Sequence, residues 1–380
     1  MSDAFALLAP AEIQFGRGKI QQLNDRVAAL GRRVLIVHGR SPERIAPVLA
    51  TLTSVDVVQT LAIDKEPDLP TLTEALERGR AQSIDAVVGI GGGSVMDSAK
   101  VMAAMLPSPS NLLSHLEVVG QGLPLTAQRL PLILVPTTSG TGAEVTRNAV
   151  IDVPEASRKV SLRDPKLLPD LALVDPALTD GCPRAVTLHS GLDAITQVIE
   201  PYLSSRATPF TDLLCVDAIP RGLRALKQLM AAESPDARDA MAHVSLFGGL
   251  ALANAGLGVV HGIAGPLGGL CGAPHGAICG ALLPAGIAAN RAYVREPEQA
   301  ARIARVESWI AEVFGAGSGD PLDDFRAWIV ASGLPGLASL GVTEDQMVAT
   351  AKAASSSSSM KANPVALPVD VVEAVMRDSF

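Results

Sequence analysis

Short apolar runs alternate with helical patterns through the first half of the chain, and this alternation constrains the fold more than any other feature. Near-continuous apolar strands separated by helices are typical of a parallel sheet that is covered on both faces. The sequence therefore predicts an α/β domain. The expected strands are 33–38, 55–63, 86–90, 132–135 and 171–174, with helices at 41–52, 72–82 and 94–105 between them.

The pattern changes near Gly181–Pro183, where the strand signals stop. Long Ala- and Leu-rich stretches follow, separated by Gly, Pro and Ser, and they predict an all-helical second half. We therefore place a domain boundary between residues 1–183 and 184–380. The expected helices of the second half are 187–203, 208–230, 237–256, 259–270, 276–290, 298–314, 321–332 and 344–354.

Charge and cysteine content narrow the class of protein. The chain has 31 Lys and Arg against 39 Asp and Glu, so its net charge is −8 and nucleic acid is not an expected partner. Its four cysteines include no CxxC pair and are too few for a disulfide framework. The N-terminal segment lacks the basic stretch of a signal peptide. We expect a cytoplasmic protein.

Residues 240–290 contain no Asp, Glu, Lys or Arg. A membrane-spanning helix needs about 20 apolar residues, and this segment is long enough. Its twelve Gly and three His would interrupt a helix that faces lipid. We therefore predict buried helices and no membrane partner, and the histidines make this region a candidate site.

A glycine-rich segment, Gly89–Lys100 (GIGGGSVMDSAK), follows a predicted strand and opens a predicted helix. Glycines allow the backbone to approach a pyrophosphate, to which Ser94 and the N–H groups of the first turn can donate. The segment departs from the GxGxxG pattern because Ser94 occupies the third glycine position. A glycine-rich tight turn without a ligand is the alternative.

A second polar loop, Pro136–Thr146 (PTTSGTGAEVT), also follows directly on a predicted strand. Its hydroxyl groups can bind a nucleotide, although an ordinary Ser/Thr-rich loop would have the same composition. In open α/β sheets, ligands bind at the carboxyl ends of the strands, where both loops are expected. Together they predict a nucleotide site.

Four polar side chains in the helical half could bind a metal ion. Asp193 and Gln197 are four residues apart in a predicted helix, so they share a face at about 6 Å. In one unbroken helix His261 and His275 would lie about 21 Å apart. The segments Gly265–Pro266 and 272–274 are expected to break that helix and allow the histidines to meet. A carboxylate with two imidazoles suits Zn²⁺ or Fe²⁺, whereas hydrogen-bonded core histidines are the alternative.

These segments together resemble the iron-containing (group III) alcohol dehydrogenases, including their maleylacetate reductase relatives. The resemblance implies a Rossmann-like NAD(P)-binding domain at 1–183 and a helical metal- and substrate-binding domain at 184–380. This is the architecture shared with dehydroquinate synthase, and it implies a homodimer or larger homo-oligomer. The blocks that carry the resemblance are FGRGKIQQL, GGGSVMDSAK, PTTSGTGAEVT, GLDAITQVIEPY, HGIAGPLGGLCGAPHG and NPVALPVDVVEAV, in this order.

The resemblance also implies site residues. For NAD or NADP these are Gly92, Gly93, Ser94, Asp97, Thr137, Thr138, Thr141, Val150, Lys159 and Leu178, to which the segment after the second predicted strand adds Gly39 and Arg40. For the metal they are Asp193, Gln197, His261 and His275, of which Asp193, His261 and His275 are also the expected catalytic residues.

Three positions depart from the family pattern. Gln197 occupies the position of a His ligand, and Gly265 occupies that of a further active-site His, so the proton relay is left unassigned. The Asp that commonly binds the adenosine ribose is missing from the segment His38–Ser41 (HGRS). Arg40 in its place would suit the 2′-phosphate of NADP, although it could equally be a solvated surface residue.

We therefore predict an NAD(P)-dependent alcohol dehydrogenase or aldehyde or ketone reductase that acts on a small substrate. The expected metal is Fe²⁺, with Zn²⁺ or loss of the metal as alternatives. A metal-independent reductase similar to maleylacetate reductase, or a nucleotide-binding homologue without catalysis, would also be compatible with the departures.

Overall fold

The structure is a computed structural model that describes residues 4–156 and 158–380. The chain divides into two compact units. The α/β unit comprises Ala9–Thr138 and Gly142–Asp180, and the helical unit comprises residues 4–8, Ser139–Thr141 and Gly181–Phe380.

The two units differ from the predicted ranges 1–183 and 184–380 at three short segments, one of which is 181–183, assigned to the helical unit. Residues 4–8 belong to the helical unit, where the Leu8 N–H donates to Asn254 Oδ1 at 2.7 Å. Ser139–Thr141 also belongs to it, and Gln197 Nε2 donates to the Gly140 carbonyl at 3.0 Å. These long-range hydrogen bonds join residues that are far apart in sequence, so local patterns could not indicate them.

The α/β unit contains a parallel sheet of six strands in the order β1-β8-β5-β4-β2-β3, and a separate antiparallel pair, β6-β7. All five predicted strands are present within one residue of their expected bounds. The strands are β1 (Glu12–Phe15), β2 (Arg33–Gly39), β3 (Asp56–Ile63), β4 (Ala86–Gly91), β5 (Leu132–Pro136), β6 (Asn148–Val153), β7 (Arg158–Arg163) and β8 (Leu171–Val174).

Helices cover both faces of this sheet. Along β2, Leu35 and Val37 belong to the core of one face, whereas Val34 and Ile36 belong to the core of the other. Burial on both faces explains why the strands read as continuous apolar runs. Two of the helices, α1 (Leu23–Ala28) and α2 (Pro42–Leu49), pack on the second face, and the other two, α3 (Leu69–Arg80) and α4 (Gly93–Met105), pack on the first.

The helical unit is built around α5, which is buried along most of its length. The predicted helices are all present, and α13 is an additional short one. The helices are α5 (Arg184–Leu203), α6 (Pro209–Ala231), α7 (Pro235–Ala255), α8 (Val259–Cys271), α9 (His275–Tyr293), α10 (Pro297–Phe314), α11 (Pro321–Ala331), α12 (Glu344–Ser355) and α13 (Val369–Arg377).

The uncharged segment 240–290 forms most of α7 and all of α8 and nearly all of α9, which are largely buried as expected. No single helix of the described residues is both long and apolar enough to cross a membrane. Helices α7 and α8 pass such a test only as a pair, and they are bent by 99° at the break between them.

Two glycines let α9 approach α5 closely. A Cβ atom on Gly276 would lie 2.3 Å from the His189 carbonyl oxygen, and one on Gly280 would lie 2.5 Å from Leu192 Cδ1. Real Cβ atoms do not approach other atoms at such distances, so these positions require glycine. The close contact fixes the first turns of α9 against the middle of α5.

Candidate metal centre and nucleotide-binding loops

Three of the four predicted metal ligands lie together in the helical unit, and a cysteine joins them. The group consists of Asp193 on α5, His261 on α8, and His275 and Cys279 on α9. One ligand atom of each residue lies within 4.8 Å of those of the other three. Asp193 Oδ1 is 3.4 Å from His261 Nε2 and 3.9 Å from His275 Nε2.

The two histidines meet because the chain turns sharply between α8 and α9. Gly272 adopts a left-handed conformation (φ 67°) directly after α8, and Pro274 precedes the first residue of α9. The imidazole centroids are 5.4 Å apart, against about 21 Å for a continuous helix. The predicted break at 272–274 is confirmed.

The second expected break, at Gly265–Pro266, is wrong. Pro266 lies inside α8, which continues from Val259 to Cys271. A proline removes one backbone hydrogen bond, and its ring meets the carbonyl of the residue four positions earlier. Here that residue is Gly262, and the well-packed, largely buried helix absorbs the loss.

Asp193 shows that these residues fit a cation. Its side chain is buried, with the residue 2% exposed, and Oδ1 accepts no hydrogen bond from any described residue although it faces two imidazoles. A buried carboxylate oxygen without a hydrogen bond costs free energy that a bound cation would recover. One oxygen, two imidazole nitrogens and one sulfur form a donor set suited to Zn²⁺ or Fe²⁺.

Glu200, which sequence reasoning missed, holds His261 in place. Its Oε2 accepts a hydrogen bond of 2.6 Å from His261 Nδ1, while its Oε1 accepts one of 2.7 Å from the Val260 N–H. A carboxylate on one ring nitrogen fixes the tautomer and aims the other nitrogen at a metal. The available signal was the spacing to Asp193, since residues seven apart share a helix face.

Within the group, the neighbouring charged side chains shift the pKa values of His275 and Asp193 in the direction opposite to the shift that burial causes. Burial alone would lower the pKa of His275, but Cys279 and Asp193 beside it raise that pKa to about 9. Burial would raise the pKa of Asp193, yet the neighbouring histidines lower it below its ordinary value. Protons and a metal ion therefore compete for the same side chains, and metal affinity is expected to fall as the pH is lowered.

Gln197 lies one turn after Asp193 on α5, as the spacing predicts, and is buried. Its Nε2 donates to the Gly140 carbonyl at 3.0 Å, so the amide holds the short segment Ser139–Thr141. Cys279 Sγ lies 3.5 Å from His275 Nε2 and was missed. The signal that could have found it is the spacing of four residues from His275, which places both on one helix face.

The glycine-rich loop lies where β4 ends and α4 begins. Gly92 is the residue before α4, and no described side chain caps this helix end, so its first N–H groups point out of the helix. A Cβ atom on Gly91 would lie 2.5 Å from Val95 Cγ2, so the tight turn needs glycine. Such an uncapped, glycine-bounded N-terminus is suited to a phosphate.

The other predicted nucleotide-binding positions of the α/β unit fall into two sets. Strands β5, β4 and β2 are adjacent and parallel, so they end at one edge of the sheet. At this edge lie Thr137 and Thr138, the Gly92–Ser94 turn, and Gly39 with Arg40. Thr137 N–H donates to the Gly91 carbonyl at 2.9 Å, and Arg40 is exposed. Thr141 belongs to the helical unit.

The second set lies on α4 and on the β6–β7 pair. Asp97 Oδ2 accepts a hydrogen bond of 2.9 Å from the Val150 N–H and Oδ1 lies 3.5 Å from the buried Lys100. Lys159 pairs with Glu66. These contacts fix the framework of the loop. Leu178, also in the predicted set, is partly buried against the core that contains Leu23 and Ile36.

Comparison with known proteins assigns the family. The family model described as iron-containing alcohol dehydrogenase matches residues 10–176, and that of the Fe-containing alcohol dehydrogenase family, C-terminal, matches residues 187–380.

Individual proteins agree with this match. The chain is 32% identical to the 4-hydroxybutyrate dehydrogenase of Cupriavidus necator, with 86% of this chain and 87% of that protein covered. It is 34% identical to the 1,3-propanediol dehydrogenase of Citrobacter freundii, with 79% and 78% covered. A crystal structure of 1,3-propanediol oxidoreductase superposes with a TM-score of 0.87 at 30% identity, covering 99% of this chain and 100% of that one. The chain is thus an oxidoreductase that belongs to the iron-containing alcohol dehydrogenase family.

Proposed function

We propose that this protein is an NAD(P)-dependent alcohol dehydrogenase that interconverts a small alcohol with its aldehyde or ketone at a divalent metal held by Asp193, His261 and His275. The buried Oδ1 of Asp193, which accepts no hydrogen bond from the described residues and faces two imidazole nitrogens, carries the proposal. Fe²⁺ is the metal suggested by the family, and the donor set also suits Zn²⁺. A cytoplasmic homodimer or larger homo-oligomer, without nucleic-acid or membrane partners, stays a prediction from the sequence.

The chain's own residues bind the cofactor and orient the metal ligands. The turn at Gly92–Ser94 presents backbone N–H groups to the pyrophosphate, while Glu200 keeps His261 in one orientation. When bound, the metal supplies Lewis-acid polarisation of the substrate oxygen. Hydride transfer belongs to the nicotinamide, so positioning is the protein's main contribution to it. Gly265 has no group that could carry a proton, and space around its Cα is open.

Metal removal tests the proposal. Treatment with a chelator is expected to lower NAD(P)H-dependent reduction of short aldehydes by at least about a hundredfold, because several kcal/mol of transition-state stabilisation are lost. Adding back Fe²⁺ under anaerobic conditions, or Zn²⁺, should restore it. The measurement is NAD(P)H consumption together with metal content before and after treatment.

Two other results would each assign a different function to this protein. Full activity of metal-free protein, above all on maleylacetate, would replace the proposal with the metal-independent reductase. Tight NAD(P)H binding without turnover of any alcohol, aldehyde or ketone in either metal state would identify a nucleotide-binding homologue instead.

Arg40 is proposed to bind the 2′-phosphate of NADP. It is exposed directly after β2, at the sheet edge of the glycine-rich turn, and no carboxylate lies within the segment 38–41. A charge-assisted hydrogen bond contributes about 1.5–3 kcal/mol, so Arg40→Ala is expected to raise KM for NADPH roughly ten- to hundredfold and leave KM for NADH unchanged. Steady-state kinetics with both cofactors checks this.

The matched control is Arg78→Ala, which removes an exposed arginine from α3 and should change neither KM. No change in either KM value in Arg40→Ala would show that Arg40 is a solvated surface residue, and equal changes of both would show that it does not recognise the 2′-phosphate.

A further inference from the structure

We infer that the Cys279 thiolate is the fourth protein ligand of the metal, so that the site is Asp193, His261, His275 and Cys279. This inference rests on the proposed metal site, and it differs from the sequence prediction, which gave the fourth position to Gln197. It assigns a sulfur donor to a centre whose family pattern supplies only oxygen and nitrogen.

Cys279 is placed for this role by its helix. It is fully buried one turn after His275, with Sγ 3.5 Å from His275 Nε2 and within 4.8 Å of the ligand atoms of Asp193 and His261. The turn that carries both residues is pressed against α5 through Gly276 and Gly280. The sulfur therefore has a fixed position among the other donors.

Gln197 is the weaker candidate for the fourth position. Its Nε2 donates to the Gly140 carbonyl, and the amide is buried with that hydrogen bond in place. An amide oxygen is also a neutral and weak ligand for Fe²⁺ or Zn²⁺, whereas a thiolate is among the ligands that bind Zn²⁺ best. The donor that replaces the missing imidazole thus comes from α9, while Gln197 positions the segment Ser139–Thr141.

The remaining cysteines differ from Cys279. Cys215 is buried in the apolar core of the helical unit, where burial raises the pKa of its thiol, and Cys182 and Cys271 lie outside the group of four. Only Cys279, among the cysteines of the described chain, has two imidazoles and a carboxylate within ligand distance. Cys271, which is half-buried at the end of α8, offers a matched substitution.

A sulfur ligand has a chemical consequence. Binding converts the Cys279 thiol to a thiolate, with the metal–sulfur bond replacing the S–H bond and the proton passing to solvent. Thiolates favour Zn²⁺ and Co²⁺ over hard ions such as Mg²⁺ and Mn²⁺. The site should therefore discriminate strongly between these two groups of metals.

Cobalt titration tests the ligand directly. Co²⁺ added to chelator-stripped protein is expected to give the near-ultraviolet charge-transfer absorption of a thiolate–Co²⁺ bond in the wild type, in Cys271→Ser and in Gln197→Leu. Cys279→Ser should lose this absorption and bind Co²⁺ at least about tenfold more weakly. Replacing a residue that only supports a ligand already lowers metal affinity by about that factor, and Cys279 is itself a ligand in this assignment. Thermal unfolding of each variant shows whether it is folded.

A measurement on the unmodified protein tests the assignment even if the Cys279 variant does not fold. X-ray absorption of the Zn²⁺-loaded wild type should show a sulfur neighbour at about 2.3 Å. Co²⁺ or Zn²⁺ binding without a sulfur signal, or an unchanged affinity in Cys279→Ser, would overturn the ligand assignment alone. Failure of the wild type to bind either ion would overturn the proposed metal site and this assignment with it.

Discussion

His261→Ala is expected to abolish turnover while nucleotide binding survives. The substitution removes an imidazole whose Nε2 lies 3.4 Å from Asp193 Oδ1, and it leaves Glu200 Oε2 with only the 3.4 Å hydrogen bond from the backbone N–H of residue 261. Loss of metal-supplied stabilisation of several kcal/mol corresponds to a fall in kcat of about a thousandfold or more. The α/β unit that carries the glycine-rich turn is a separate compact unit, so NAD(P)H affinity should change little.

The measurements are kcat, metal content per chain, and NAD(P)H affinity from fluorescence. His243→Ala is the control, since His243 is a histidine of α7 that lies beside Asp217, outside the metal-binding group. It should keep both metal and turnover. If His261→Ala retained full activity without bound metal, a mechanism centred on the metal would be wrong, whereas full activity with metal still bound would show that His261 is not needed to hold it.

Local sequence patterns were sufficient to predict the strands that are buried on both faces of the sheet. Strands such as β2 and β4 are buried on both faces, so their apolar character is visible in the sequence itself. Strand β1 was missed because it has four residues, EIQF, and exists through pairing with β8 about 160 residues later. The β6–β7 pair was missed because its sequences, NAVIDV and RKVSLR, contain charged and polar residues.

The metal-binding group shows what local sequence patterns cannot predict. Spacing shows that two residues share a helix face, and glycine with proline shows where a helix can end, so Asp193, His261 and His275 could be selected. Which helix faces meet is decided by tertiary contacts such as that of Gly276 with the His189 carbonyl. Those contacts bring Cys279 into the group and give the Gln197 Nε2 a hydrogen bond to the Gly140 carbonyl, and neither result can be obtained from spacing.

Gly276→Ala tests whether that helix contact builds the site. The new methyl group would lie 2.3 Å from the His189 carbonyl oxygen and 3.2 Å from Asp193 Cβ. A backbone carbonyl cannot rotate away as a flexible side chain can, so α9 must move from α5. Overpacking of this kind costs about 1–3 kcal/mol in the free energy of unfolding, which denaturant titration measures.

The same displacement should also weaken metal binding, because His275 directly precedes Gly276 and Asp193 faces it. We expect Co²⁺ affinity to fall at least about tenfold, by analogy with the loss of groups that support a ligand. Gly265→Ala on α8 is the matched control, since a Cβ there meets no atom within 4 Å. Pro266 follows and disfavours the helical conformation for a residue that has a Cβ, which offsets the better helix propensity of alanine, so this variant should change stability little and leave Co²⁺ affinity unchanged. A Gly276→Ala protein with wild-type stability and Co²⁺ affinity would show that close packing of α9 on α5 does not set the metal geometry.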